Sequence, residues 1–134
     1  VVNDLFYSVS DIERVGDHIE NVAELVDVKD GTPKIEFSEQ ALEDLKQIMD
    51  LVTKSFVFAM SAREHSDITD ATKVVKYEDM VDNMEEELRE QHIERLSKQL
   101  CKPTNGVVFL DILSNLERIS DHAYNLAGYV MSEE

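Results

Sequence analysis

The sequence predicts an all-α protein built as an up-down antiparallel four-helix bundle, and three observations predict it. Apolar residues recur at spacings of three and four through four long segments, the rhythm of a helix stripe. Turn residues fall between those segments, and no stretch alternates with period two for long enough to make a strand. An eleven-residue pattern also occurs twice, once near each end, as Asp11-Ile-Glu-Arg-Val-Gly-Asp-His-Ile-Glu-Asn21 and Asn115-Leu-Glu-Arg-Ile-Ser-Asp-His-Ala-Tyr-Asn125. Both copies read E-R-x-x-D-H-x-x-N.

The first helix is expected over 1–27, carried by Val1, Leu5, Val9, Ile12, Val15, Ile19, Val22 and Val26. Asp30-Gly31-Thr32-Pro33 ends it, and residues 27–37 form the longest loop. Ser38 is placed to cap a second helix over 38–64, with Leu42, Leu45, Met49, Val52, Phe56 and Ala59 in step. After a turn at Ser66-Asp67, a third helix over 68–100 follows Ile68, Ala71, Val74, Val81, Met84, Leu88, Leu96 and Leu100. It would be roughly 50 Å long. Cys101-Lys-Pro-Thr-Asn-Gly106 interrupts the pattern before a fourth helix over 104–131 on Phe109, Leu113, Leu116, Ile119, Ala123, Leu126 and Val130. The five methionines read mostly as core filler. Short connections make the last three helices antiparallel neighbours and bring the first and fourth side by side.

Residues 1–134 fit one domain. The chain opens at Val1 inside a helix, without an initiator Met or a cap, and so reads as a piece of a longer protein.

The formal net charge is −16, with 29 acidic residues against 13 Lys and Arg, which calls for cations or a basic partner. Nucleic acid and anionic membrane surfaces are disfavoured, since both need a basic footprint. Cys101 is the single cysteine, which rules out an internal disulfide and points to a reducing, cytoplasmic compartment. The longest apolar stretch, Phe56 to Met60, is far too short to span a bilayer.

A constant offset of 104 positions superposes Glu13 on Glu117, Arg14 on Arg118, Asp17 on Asp121, His18 on His122 and Asn21 on Asn125. Core packing alone would repeat apolar positions and let polar ones drift, so a polar function is being repeated. Residues four apart share a helix face, which makes Glu13–Asp17 and Glu117–Asp121 two vertical carboxylate pairs. Glu78 and Asp82 form a third, with Asp79 and Glu85 beside it. Stacked like charges destabilise a helix unless something answers them. One answer is metal, because oxygen-rich sites suit iron, manganese or magnesium. The other is a solvated surface on which Arg14 and Arg118 pair with neighbouring acids. His18 and His122 join Arg14, Arg118 and the two Asn in a second row, either as auxiliary ligands or anion contacts, or as packing groups. His65 and His92 read as structural.

None of the four histidines has Glu three residues before it, which excludes the ferritin-type di-iron pattern. There is no Gly-rich phosphate loop and no nucleophile elbow. The expectation is therefore a protein that is not an enzyme. A metal-dependent phosphohydrolase is the enzymatic rival, since clustered carboxylates can hold two metals.

The paired E-R-x-x-D-H-x-x-N helices with Glu78-Asp-Met-Val-Asp82 between them resemble PhoU, the bacterial phosphate-uptake regulator family. More narrowly, His92-Ile-Glu-Arg-Leu96, the Cys101-Lys-Pro break and the run from Gly106 to His122 look like the PhoU-type cytoplasmic tail of sodium/phosphate cotransporter-family proteins. The resemblance implies a three-helix repeat whose E(D)-x-x-x-D motifs bind metal, in some members as multinuclear iron clusters. Carried over, the ligands are Glu13, Asp17, Glu78, Asp82, Glu117 and Asp121, with iron first and manganese, zinc or magnesium behind it. Helices 2 to 4 make one complete repeat, and helix 1 is the last helix of a preceding one. Glu117–Asp121 and Glu78–Asp82 belong to that complete repeat, whereas the companions of Glu13 and Asp17 fall outside it.

The expected function is thus a regulatory, metal-binding domain controlling phosphate uptake, held at the inner face of the membrane through a transmembrane region that precedes Val1. Its expected partners are a membrane phosphate transporter on the same polypeptide or that transporter's signalling proteins, phosphate itself, and a second copy meeting the open flank of helix 1. The alternative is a metal-free helical adaptor or dimerisation module that binds a basic protein.

Overall fold

A computed structural model describes residues 2–26, 28–29, 32–33, 37–100 and 102–133. Among them the chain forms four helices, α1 (Val2–Leu25), α2 (Glu39–His65), α3 (Ile68–Ser97) and α4 (Pro103–Ser132). Two strands of two residues each, β1 (Val28–Lys29) and β2 (Thr32–Pro33), pair antiparallel between α1 and α2. The expected loop therefore holds a minimal ladder, too short to leave an alternating signature. Residues 27, 30, 31 and 34–36 of that loop lie outside the described residues, as do Val1 and Cys101.

The helix ends follow local chemistry. Ser38 is extended and its Oγ accepts from Ala41 N at 3.1 Å, satisfying one of the amides left open at the start of α2. Ser66 ends α2 in the left-handed region at φ 50°, and Asp67 at once caps α3 by accepting from Asp70 N. At the other end α3 stops at Ser97, three residues before the expected Leu100. Gln99 turns left-handed at φ 58°, which a continuing helix cannot accommodate, and Leu100 is 71% exposed instead of buried. Pro103 then takes the first turn of α4, where its missing N–H costs nothing.

Helices α2, α3 and α4 pack on one another as a three-helix unit, and α1 lies antiparallel along α4. The core has two parts. At one end Ile48, Val52, Val81, Leu88, Phe109, Ile112 and Leu113 interdigitate. At the other, Ala59, Ala62, Ala71, Ala123 and Ala127 let the helices approach closely around Val74, Leu126 and Val130. Each of the larger fully buried side chains contributes about 1.5–3 kcal/mol. Gly106 permits a close approach of α4 to α3, since a Cβ there would run into the Leu96 side chain.

The stripe on α1 is only half used. Val15 is buried, whereas Leu5, Val9 and Ile19 are each at least 50% exposed. Their counterparts 104 positions on, Phe109, Leu113 and Ala123, are buried between α2 and α3. Among the described residues, helix α1 has α4 on one flank and no such pair of helices over the other. Leu42, Met49 and Met80 are also exposed rather than core, because periodicity marks a face without saying how wide a strip its neighbours cover.

Candidate metal centre on the third and fourth helices

One turn of α3 carries Glu78 and Asp82 on a single face, and α4 brings Asp121 against them. Single carboxylate oxygens of these three residues lie within 4.8 Å of one another. Glu117 stands one turn back from Asp121 on α4, and Glu85 continues the row on α3. Glu85 is buried and accepts from Arg89 Nε at 2.5 Å, while the same guanidinium donates to Ser114 Oγ at 3.0 Å. Ser120, fully buried on α4, donates its hydroxyl to Glu78 Oε2 at 2.8 Å and fixes that carboxylate's orientation. Asp82 and Asp121 are exposed and Glu78 half-buried, so the cluster is open to solvent.

The acids resist ionising together. Burial pushes the Glu78 carboxyl up to about 7, opposed by the Ser120 hydroxyl and reinforced by Asp121 and Asp82. Burial, then Asp121 and Asp79, raises Asp82. Burial, then Glu85, Asp121 and Asp82, raises Glu117, with Arg89 pulling the other way. A cation placed among these oxygens replaces repulsion with attraction. The all-carboxylate donor set fits a hard or borderline ion such as iron, manganese or magnesium. It fits zinc less well, because no imidazole or thiolate joins it.

Four of the six expected acids thus meet along the α3–α4 face. Glu13 and Asp17 are exposed on α1 and belong to no cluster of three potential ligands among the described residues.

The second polar row has a different place. His18 and His122 stack with ring centroids 5.6 Å apart, at the middle of the α1–α4 seam. His122 Nδ1 lies 2.7 Å from Asp11 Oδ1, and His18 Nδ1 lies 3.0 Å from Asn115 Oδ1. Asn125 donates to Asp11 Oδ1 at 3.2 Å, and Asn21 donates to Asn115 Oδ1 at 3.3 Å. Each bond has its counterpart at the 104-residue offset, so two copies of one helix face each other across a local twofold. Tyr129 adds a bond from its hydroxyl to Asp11 Oδ2 at 2.7 Å, and burial followed by that carboxylate pushes the phenol up to about 12. Arg14 and Arg118 are exposed and form no ion pair among the described residues.

Asp11 and Ser120 are the site residues that the reading of acid pairs passed over. Asp11 was signalled by the repeat, whose first position holds Asp11 in one copy and Asn115 in the other. No sequence signal marks Ser120.

A family model described as the PhoU domain matches residues 45–130, which span nearly all of the α2–α4 unit. The chain belongs to the PhoU family. Among the relatives of this PhoU chain is phosphate-specific transport system accessory protein PhoU homolog 1 of Thermotoga maritima, 31% identical over 91% of the chain and 51% of the relative. The PhoU homolog of Deinococcus radiodurans, named in the same way, is 24% identical over 92% of the chain and 56% of the relative. This PhoU chain therefore spans about half the length of the curated relatives it matches. No solved structure matches it. No described helix is long and apolar enough to cross a membrane.

Proposed function

We propose that this PhoU domain is a regulatory module of phosphate uptake that acts through protein contacts and is tuned by a cation on the α3–α4 face. The observation that carries the reading is the meeting of Glu78, Asp82 and Asp121 within 4.8 Å, inside the segment that matches the PhoU domain. Both relatives are named as accessory proteins of a phosphate-specific transport system, which supports a membrane phosphate transporter as the partner. The narrower assignment, a cytoplasmic tail of a sodium/phosphate cotransporter acting on its own polypeptide, rests on the His92–Leu96 and Gly106–His122 runs. The open apolar flank of α1 supplies a surface for a second copy.

Metal content of protein purified without chelator tests the cation. Iron or manganese near stoichiometry, falling to background in Asp121→Asn and Glu78→Gln, is the expected result. Background metal in the unsubstituted protein, after incubation with each ion in turn, rejects it. The regulatory part fails if deleting the domain in cells leaves phosphate uptake unchanged.

A metal-free adaptor is favoured by one feature, the proton-holding tendency of Glu78, which lets a proton do part of a cation's work. It predicts binding of a basic partner that weakens with salt and persists in chelator.

A further inference from the structure

Among the described residues the backbone of α1 comes close to that of α4 alone. His18 and His122 sit at the middle of that seam, and the 104-residue offset maps one onto the other. The pair therefore straddles the local twofold, with the two rings facing each other.

The hydrogen bonds around the rings fix both tautomers. Asn115 turns its amide nitrogen to Asp111 O at 2.9 Å, which leaves its Oδ1 to accept from Asn21 and from His18 Nδ1. Asp11 Oδ1 accepts from Asn125 and from His122 Nδ1. Both Nδ1 atoms thus carry the proton, and in the neutral rings both Nε2 atoms carry a lone pair. Neither Nε2 has a hydrogen-bond partner among the described residues, and neither is shut off from solvent.

One histidine with a free Nε2 is ordinary. Two of them, side by side and each braced at Nδ1 by an oxygen, reproduce the way metal-bound histidines are held, with the far nitrogen donating to a group that sets ring and tautomer. An ion bound by two imidazoles at about 2.0–2.1 Å keeps their ring centres within roughly 6.5 Å of each other. The 5.6 Å between these centroids lies inside that limit. Arg14 and Arg118, one turn before each histidine, oppose a cation, but both are exposed and screened by water. The net charge of −16 attracts one.

We propose that His18 and His122 form a second metal site, which takes a borderline ion of the zinc class through their two Nε2 atoms, with water in the remaining positions, and clamps α1 to α4. Imidazole nitrogens select such ions, whereas the all-oxygen cluster on α3 and α4 selects harder ones. The two sites are separate, and neither needs the other to be filled.

Titration of the labelled protein with zinc at pH 7.5, followed in spectra that resolve the imidazole nitrogens, tests this. The Nε2 signals of His18 and His122 should move together and saturate at about one equivalent, while those of His65 and His92 stay in place. Zinc should also raise the melting temperature by a few degrees, as a ligand of the folded state does. His18→Gln and His122→Gln should each weaken zinc binding at least about tenfold and abolish that rise. Glu78→Gln combined with Asp121→Asn should leave both effects intact, which separates this site from the carboxylate cluster. The proposal is overturned if the two Nε2 signals do not move together by one equivalent, or if either histidine variant binds zinc as tightly as the unsubstituted protein. It is equally overturned if the carboxylate variant loses the zinc. The spectra of the unsubstituted protein decide the matter even where a variant fails to fold.

Discussion

Asp11 is the residue on which the α1–α4 seam depends most, since one carboxylate, only 5% exposed, serves His122, Asn125 and Tyr129. Asp11→Ala takes the partner from two half-buried groups, His122 and Tyr129, and from the exposed Asn125, and should cost about 1–3 kcal/mol in urea denaturation. Asp11→Asn should cost clearly less, because Asn115 already fills the equivalent place in the other copy. Glu78 sets a pH dependence of the opposite sign to most carboxylates. Its folded value of about 7 lies above the ordinary 4.5, so the native state holds a proton that the unfolded chain releases. In chelator, stability should therefore fall as pH rises from about 4.5 towards 7, and Glu78→Gln should flatten that fall in melting curves. The i, i+4 acid pairs were legible in the sequence because helix geometry alone stacks them. The meeting of Asp82 with Asp121 was not, since it depends on the register between α3 and α4, which no single-helix pattern encodes.

At the scale of elements, all four helices were legible from periodicity, and Ser38, Asp67 and Pro103 act at their starts as their chemistry dictates. The ends were less so. Leu100 keeps the apolar rhythm of α3 but falls beyond the left-handed Gln99, a backbone choice that leaves no trace in composition. Helix α1 shows the deeper limit. Leu5 and Leu113 both sit on three-four stripes, yet Leu5 is 50% exposed and Leu113 fully buried, because a stripe records amphipathicity and not the number of neighbours. Leu113→Ala should cost about 2–5 kcal/mol in denaturation, as a large buried side chain leaves a cavity. At the start of α4, Gly106→Ala should cost about 1–3 kcal/mol from overpacking against Leu96, and Leu96→Ala in the same chain should recover part of that loss, read as a double-mutant cycle.

The whole molecule carries a net charge of −16, and the α3–α4 face concentrates five of its acids, Glu78, Asp82, Glu85, Glu117 and Asp121, on two helices. Self-repulsion on that scale should make the metal-free protein salt-dependent, with a melting temperature that rises by a few degrees as NaCl screens the charge. A bound dication should replace most of that effect, leaving a flatter salt profile. The repeat at the two ends of the sequence contributes to both features of the molecule. Its His, Asn and Asp positions join α1 to α4, and its acids face outward, but only the copy on α4 meets a third helix that brings Glu78 and Asp82. Anomalous scattering from crystals grown without chelator and soaked in manganese tests this most directly. The account predicts a peak among the carboxylates of Glu78, Asp82 and Asp121. A peak confined to Glu13 and Asp17, or none at the α3–α4 face, would contradict it.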